Sequence, residues 1–379
     1  LADEMTTELR SIRDAALVSA SNSRQPQRRR LQAKGVRFGR ITASPNGSID
    51  SSEVEGVDAD LRVRPFFHHG QTVSIREFIV GAFKDEMGLQ AWDPVLCQVT
   101  DPQNPRAMTS PSGFAYDPQQ DVFERPASCD EFDDPDGDGV VAEVNPALLD
   151  HIEFYLLNYF KPGTYRQTQD TRRGQQIMQQ IGCVGCHTPN LGIDSDRRIA
   201  DVETVYDPVK GIFNDLFATA STRYTLVDDG QPYPMLLPTQ QEFMVEGIYS
   251  DFKRHDLGPS FHERDYDGSL VTEFVTEPLW GVGSTAPYGH DGRSINLDAV
   301  ILRHGGEASD VTRRYSRLSG RERAQVLAFL QQLVLFPPDD TASNLNPGDP
   351  QAAENIQSPA SHGSINLGSL FQIPEEMAE

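Results

Sequence analysis

Five consecutive residues constrain this chain more than any others: Cys183-Val184-Gly185-Cys186-His187. The pattern C-x-x-C-H is the attachment signal of c-type haem. Two thiols two residues apart on one helical turn match the two vinyl groups of the porphyrin, and each can add across one of them. The adjacent imidazole is then carried under the iron as an axial ligand. A zinc half-site would need a second Cys or Cys/His pair at matching spacing. The chain has four cysteines, and the other two, Cys97 and Cys129, do not form one. A thioredoxin-like redox pair would follow a strand inside a βαβ unit, and no such pattern is present. The expected cofactor is therefore covalent haem c, one in this chain. Haem c is attached outside the cytoplasm, so the expected location is periplasmic or extracellular. There Cys97 and Cys129 can pair as a disulfide, the alternative being two free buried thiols.

Composition sets the outer limits. The 379 residues suggest two domains. Lys and Arg number 33 against 56 Asp and Glu, a formal charge of −23. A surface this acidic does not grip nucleic acid or anionic lipid. It suits cations or a basic partner protein, or plain solubility. No apolar run approaches the roughly 18 residues of a membrane span.

Along the chain, residues 2–20 read as an amphipathic helix through Leu9, Ile12, Ala16 and Val18. Residues 21–31 read as a basic linker with Arg28–Arg30 solvated, and 36–73 as irregular. Ser74 with Glu77 is a capping box that opens a helix closed by Gly88. Asn145-Pro146 starts another helix. Residues 171–182 lead helically into the cysteine motif. Asn296 caps a helix carrying Leu297, Val300, Ile301 and His304, ended by Gly305-Gly306. Ser319 and Glu322 cap a last helix running through Leu333 and Val334 to Pro337. The expected fold is mainly α with long loops, with cytochrome c-like helical haem packing. Three parts are expected: a loop-rich region at 1–144, a haem domain at 145–338 and an extended tail at 339–379.

The stretch EPLWGVGSTAPYGHDGRSINLDAVILRHGGEA (277–308), followed by LAFLQQLV, resembles the C-terminal half of bacterial di-haem cytochrome c peroxidases and their di-haem oxidoreductase relatives. Pro287, Tyr288, His290, Asp291 and Gly292 match that family's P-Y-x-H-D-G turn. His304 falls at its distal-ligand position. The resemblance thus implies haem iron held between His187 and His304, with Trp280, Arg293 and His255 (in KRHDLG) as further cofactor-binding residues. His255 is the competing distal ligand. Upstream, FIVGAFKDEMG (78–88) is similar to the family's E-M-G segment, which implies an acid/base role for Glu86. RPFFHHG (64–70) carries His68 where relatives have an aromatic residue between the haems. The family has two attachment motifs and this chain has one. The resemblance therefore implies a second haem on a segment upstream of Leu1, or its loss.

Asp134-Pro135-Asp136-Gly137-Asp138-Gly139 resembles the start of a calcium loop. Asp134, Asp136, Asp138 and the nearby Glu143 are its candidate oxygen ligands, although the twelfth position is Asn145. Two functions stay open. One is the electron-transfer haem domain of a di-haem peroxidase-like oxidoreductase. The other is a non-catalytic mono-haem electron-transfer subunit of a larger extracytoplasmic assembly. Both imply an electron-donor protein or small cytochrome as partner, and the first adds a second haem-bearing segment or chain.

Overall fold

The structure is a computed structural model. It describes residues 1–110, 114–130, 168–194 and 243–336 except residue 266, together with scattered residues between 132 and 164 and between 198 and 237. Asp136 and the tail from 339 lie outside the described residues. So does much of the helix expected after Asn145, of which Leu149 and Glu153 are described, helical and buried.

Helix α1 spans Ala2–Ser23 and buries Met5, Leu9, Ala16 and Ala20. The next segment departs from the expected linker. Gln27–Ala33 is strand β1, paired antiparallel with β2, Val36–Ala43, and β2 pairs in turn with the short β3, Ile49–Asp50. The two-residue loop Lys34-Gly35 has positive φ at both positions, 48° and 84°. That is the type I′ geometry whose twist suits a tight hairpin. Arg28, Arg29 and Arg30 face solvent while Leu31 and Ala33 turn inward. Residues 36–43 are likewise a strand and not irregular, with Val36, Phe38 and Ile41 buried.

Among the described residues, three hydrophobic cores follow. The first packs α1 and the hairpin against Leu191, Ile193, Val245, Ile248 and Phe252, so it joins the start of the chain to its middle. The second lies within residues 73–149. It holds α2, Ile75–Met87, capped by Ser74 Oγ accepting from Glu77 N and closed by Gly88 in the left-handed conformation. It also holds α3, Pro94–Val99, with Asp93 as its cap. Cys97 and Cys129 are joined by a disulfide across this core.

The third core is helical. It gathers α4 (Gln169–Ile181), α5 (Leu297–Arg303), α6 (Ser309–Ser316) and α7 (Gly320–Gln331). Ser319 and Glu322 form the full reciprocal cap of α7. Helices α4 and α7 meet at Gly174, where a Cβ would stand 1.9 Å from the Gln325 carbonyl oxygen. Only a residue without a side chain allows that approach. Helix α7 ends earlier than its apolar run suggests. Leu333–Phe336 is a strand paired with Lys161–Thr164, because a distant partner strand satisfies its backbone.

Candidate haem site

Helix α4 ends at Gly182, whose φ of 97° turns the chain sharply into a 3-10 turn at Cys183–Gly185. The backbone nitrogens of Cys186 and His187 both donate to the Cys183 carbonyl, so the two cysteines share one turn. Neither is disulfide-bonded. Burial pushes the Cys183 thiol up to a pKa of about 11.

His187 Nδ1 lies 3.0 Å from the carbonyl oxygen of Tyr249 and donates to it. That fixes the tautomer and leaves Nε2 as a lone-pair nitrogen, the usual arrangement of a metal-binding imidazole. His304 repeats it. The residue is the C-cap of α5, and its Nδ1 donates to Val300 O at 2.6 Å. Burial lowers the His187 pKa, and burial together with nearby His187 pushes that of His304 down to about 4. Both imidazoles are therefore neutral at pH 7, and they are close enough to influence one another. The Phe261 ring packs edge-on to His304 at 5.4 Å.

His255 is differently placed. Its Nε2 lies 2.9 Å from Asp251 Oδ2 and its Nδ1 lies 2.8 Å from Glu307 Oε2, so both ring nitrogens are engaged by carboxylates. Burial opposes the charged form, but hydrogen bonds to Asp251 and Cys186 hold its pKa up at about 11. A cation with both nitrogens donating has no lone pair for a metal. The side chain instead organises the site, with Cys186 Sγ 3.9 Å from its Nδ1. Glu307 also accepts from Asp256 N at 2.9 Å, while Gly305 N donates to Leu257 O and Glu307 N to Asp256 O. Gly306 lies so close that a Cβ there would be 2.1 Å from Asp256 O. The KRHDLG and HGGEA segments thus form one docked unit.

The residues present fit a haem. Two free thiols share a turn beside an imidazole with a spare nitrogen, a second such imidazole lies nearby, and Trp280 Nε1 is buried with no hydrogen-bond partner. A buried indole N–H needs an acceptor, and a haem propionate is one. Arg293 is exposed beside Asp291. Asp291 itself is clamped by Arg303, which holds its carboxyl far below the usual range.

Glu86 lies on the exposed last turn of α2, among the described residues without a hydrogen bond or ion pair. On the acidic loop, Asp134 accepts from Gly137 N and Gly139 N, and Asp138 from Val140 N. Glu143 turns away to accept from Gln90 N at 2.6 Å. Tyr249, Asp251 and Glu307 were not singled out from the sequence. Tyr249 and Glu307 serve the site across 62 and 52 residues, whereas Asp251 meets His255 only four residues away. No described helix is long and apolar enough to cross a membrane.

Residues 195–333 match the family model described as "Di-haem oxidoreductase, putative peroxidase". This is the family that the 277–308 stretch resembles, and the matched span holds His255, Trp280, His290, Arg293 and His304. No curated protein and no solved structure matches the chain.

Proposed function

We propose that this chain is the electron-transfer haem domain of a di-haem peroxidase-like oxidoreductase, with a cytochrome c-like packing of α4, α5 and α7 around a covalent haem c. One observation carries the reading. His187 and His304 are both neutral, both anchored through Nδ1 to a backbone carbonyl, and both left with Nε2 free. Cys183 and Cys186 would hold the porphyrin, and Trp280 Nε1 would donate to a propionate. Bound there, haem supplies an iron that takes up and releases one electron. His187 and His304 would both hold the iron through Nε2, a ligand set that would favour electron transfer over ligand chemistry. His255, Asp251 and Glu307 position the cysteine turn. Glu86 is the proposed acid/base residue toward a second haem held outside this chain. Periplasmic or extracellular location and an electron-donor protein partner belong to the same proposal. So does a calcium ion at the acidic loop, in which Asp134 and Asp138 share one turn.

The test is the spin state. The His304→Ala protein should lose its low-spin spectrum and bind cyanide, while His255→Ala should keep a six-coordinate spectrum. The opposite pattern would overturn the ligand assignment. The second reading, a mono-haem relay without catalysis, is favoured by the single attachment motif and by the exposed Glu86. Haem counting separates the two: two haems per functional unit with peroxide turnover support the enzyme, and one haem without turnover supports the relay.

A further inference from the structure

A second histidine cluster lies apart from the candidate haem ligands. His68 Nε2 is 2.8 Å and His69 Nε2 2.5 Å from the same oxygen, Glu263 Oε1. These three ligand atoms lie within 4.8 Å of one another. His290 Nε2 stands 3.0 Å from the other oxygen, Glu263 Oε2. The His290 side chain is only 6% exposed, and its Nε2 has no hydrogen-bond partner: the angle to Glu263 is wrong for one. An imidazole nitrogen buried against a carboxylate without bonding to it is costly to leave so.

The backbone assembles the cluster deliberately. Phe67 holds φ 58°, unusual for a bulky residue, at the head of a turn in which Gly70 N donates to Phe67 O. That turn aims two consecutive histidines at one carboxylate, their rings 4.0 Å apart. Glu263 sits on a short strand, Glu263–Arg264, paired with Leu270–Val271. His290 lies in the turn closed by the Tyr288–Ser294 bridge. The rings are held in place: Phe274 stacks on His290 at 4.2 Å and 13°, and His68 lies parallel to His290 at 5.2 Å and 12°.

We propose that His68, His69, His290 and Glu263 form a mononuclear site for a divalent transition-metal ion. Imidazole-rich sets with one carboxylate suit zinc, copper, iron or nickel, whereas calcium and magnesium take oxygen ligands. With metal–ligand bonds of ~2.0–2.2 Å, tetrahedral donors lie roughly 3.3 Å apart. The present carboxylate–imidazole separations, 2.8, 2.5 and 3.0 Å, are those of direct hydrogen-bonding and ion-pair contacts, so the side chains would part by roughly 0.3–0.8 Å to admit an ion. His68 is 39% exposed and Glu263 30% exposed, which leaves the ion an open side and an entry path. The ion would tie the 66–70 turn to the 288–294 turn. Phe261 contacts both His290, at 6.1 Å, and His304, so a single aromatic ring separates the proposed ion from the candidate distal imidazole. The proposal does not depend on haem being bound.

The test uses the full chain, dialysed against chelator and titrated with zinc by calorimetry. Zinc K-edge absorption then reads the ligands without interference from haem iron. One zinc per chain with imidazole scattering is expected. His69→Ala and Glu263→Gln should each weaken binding about 10-fold or more, the scale reported even for indirect metal partners. His262→Ala should not, because His262 pairs with Asp256 outside the cluster. Thermal melting checks folding, and His69→Gln replaces His69→Ala if the latter unfolds. Absence of stoichiometric zinc, binding unchanged in both cluster variants, or a preference for calcium would overturn the site.

Discussion

The second and third cores treat buried polar groups in opposite ways. In the second, the described buried charges Arg76, Asp93 and Glu153 close on one another. Arg76 is 1% exposed and meets Asp93 at 2.5 Å and Glu153 at 3.0 Å, both almost fully buried. Tyr116 Oη donates to Ser74 Oγ at 2.9 Å, and a disulfide ties α3 to Cys129. The third core and the turn beside it leave groups over: two neutral imidazoles each with one nitrogen unused and two unpaired thiols on one turn. The second core closes its charges on one another, with Gln90 Oε1 left as a buried atom without a partner. The third leaves donor groups that the proposed haem would take up, and that asymmetry is what marks it as the place for chemistry.

The largest expected effect breaks the third core alone. Changing Cys183 and Cys186 together to Ala should abolish the haem absorbance. Helices Gln169–Ile181 and Gly320–Gln331 should lose hydrogen-exchange protection while Ile75–Met87 keeps it. Protection retained without haem would mean that the third core is self-sufficient after all.

Arg76→Met attacks the second core. It leaves Asp93 and Glu153 as uncompensated buried charges, a loss of about 3–5 kcal/mol. Urea unfolding followed by circular dichroism should show it, with the haem spectrum unchanged. A loss under 1 kcal/mol would argue that the charges are not closed on one another.

Removing the Cys97–Cys129 bridge, which closes a loop with a sequence separation of 32, should cost about 3–4 kcal/mol by chain entropy. Alkylation with and without reductant, followed by unfolding, measures it. Labelling of both cysteines in the oxidised native protein would contradict the bridge.

Gly174→Val tests the helix crossing. It forces α4 away from the Gln325 carbonyl, at about 1–3 kcal/mol for overpacking. The melting temperature should fall with haem still attached, and an unaltered melt would show that the helices do not cross this closely.

The helices were legible because their ends are written in capping residues: Ser74, Asn296 and Ser319 all cap as their sequences indicate. The β1–β2 hairpin was not. Its first strand shows three exposed arginines in a row, and its inward alternation rests on Leu31 and Ala33 alone. The last strand was read as helix because its partner, Lys161–Thr164, is far away in sequence. The site divides the same way. Cys183, Cys186, His187 and His304 stand in recognisable stretches. Tyr249 and Glu307 act across 62 and 52 residues, and Glu263 meets His68 across 195, distances over which no local pattern survives.

The first core has a consequence in time. Glu4 on α1 accepts from the backbone of Asp194, 190 residues away, and Lys34 is held between Glu4, Glu8 and Asp194. Helix and hairpin can form as soon as they are made, but such distant pairing is slow, and their core cannot shut until residues 191–252 arrive. The cysteine turn leads directly into Leu191, the first residue of that closing segment. We therefore expect the thiols of Cys183 and Cys186 to remain on an unclosed chain until late in folding, more open to a modifying enzyme than in the finished molecule, where both are partly buried.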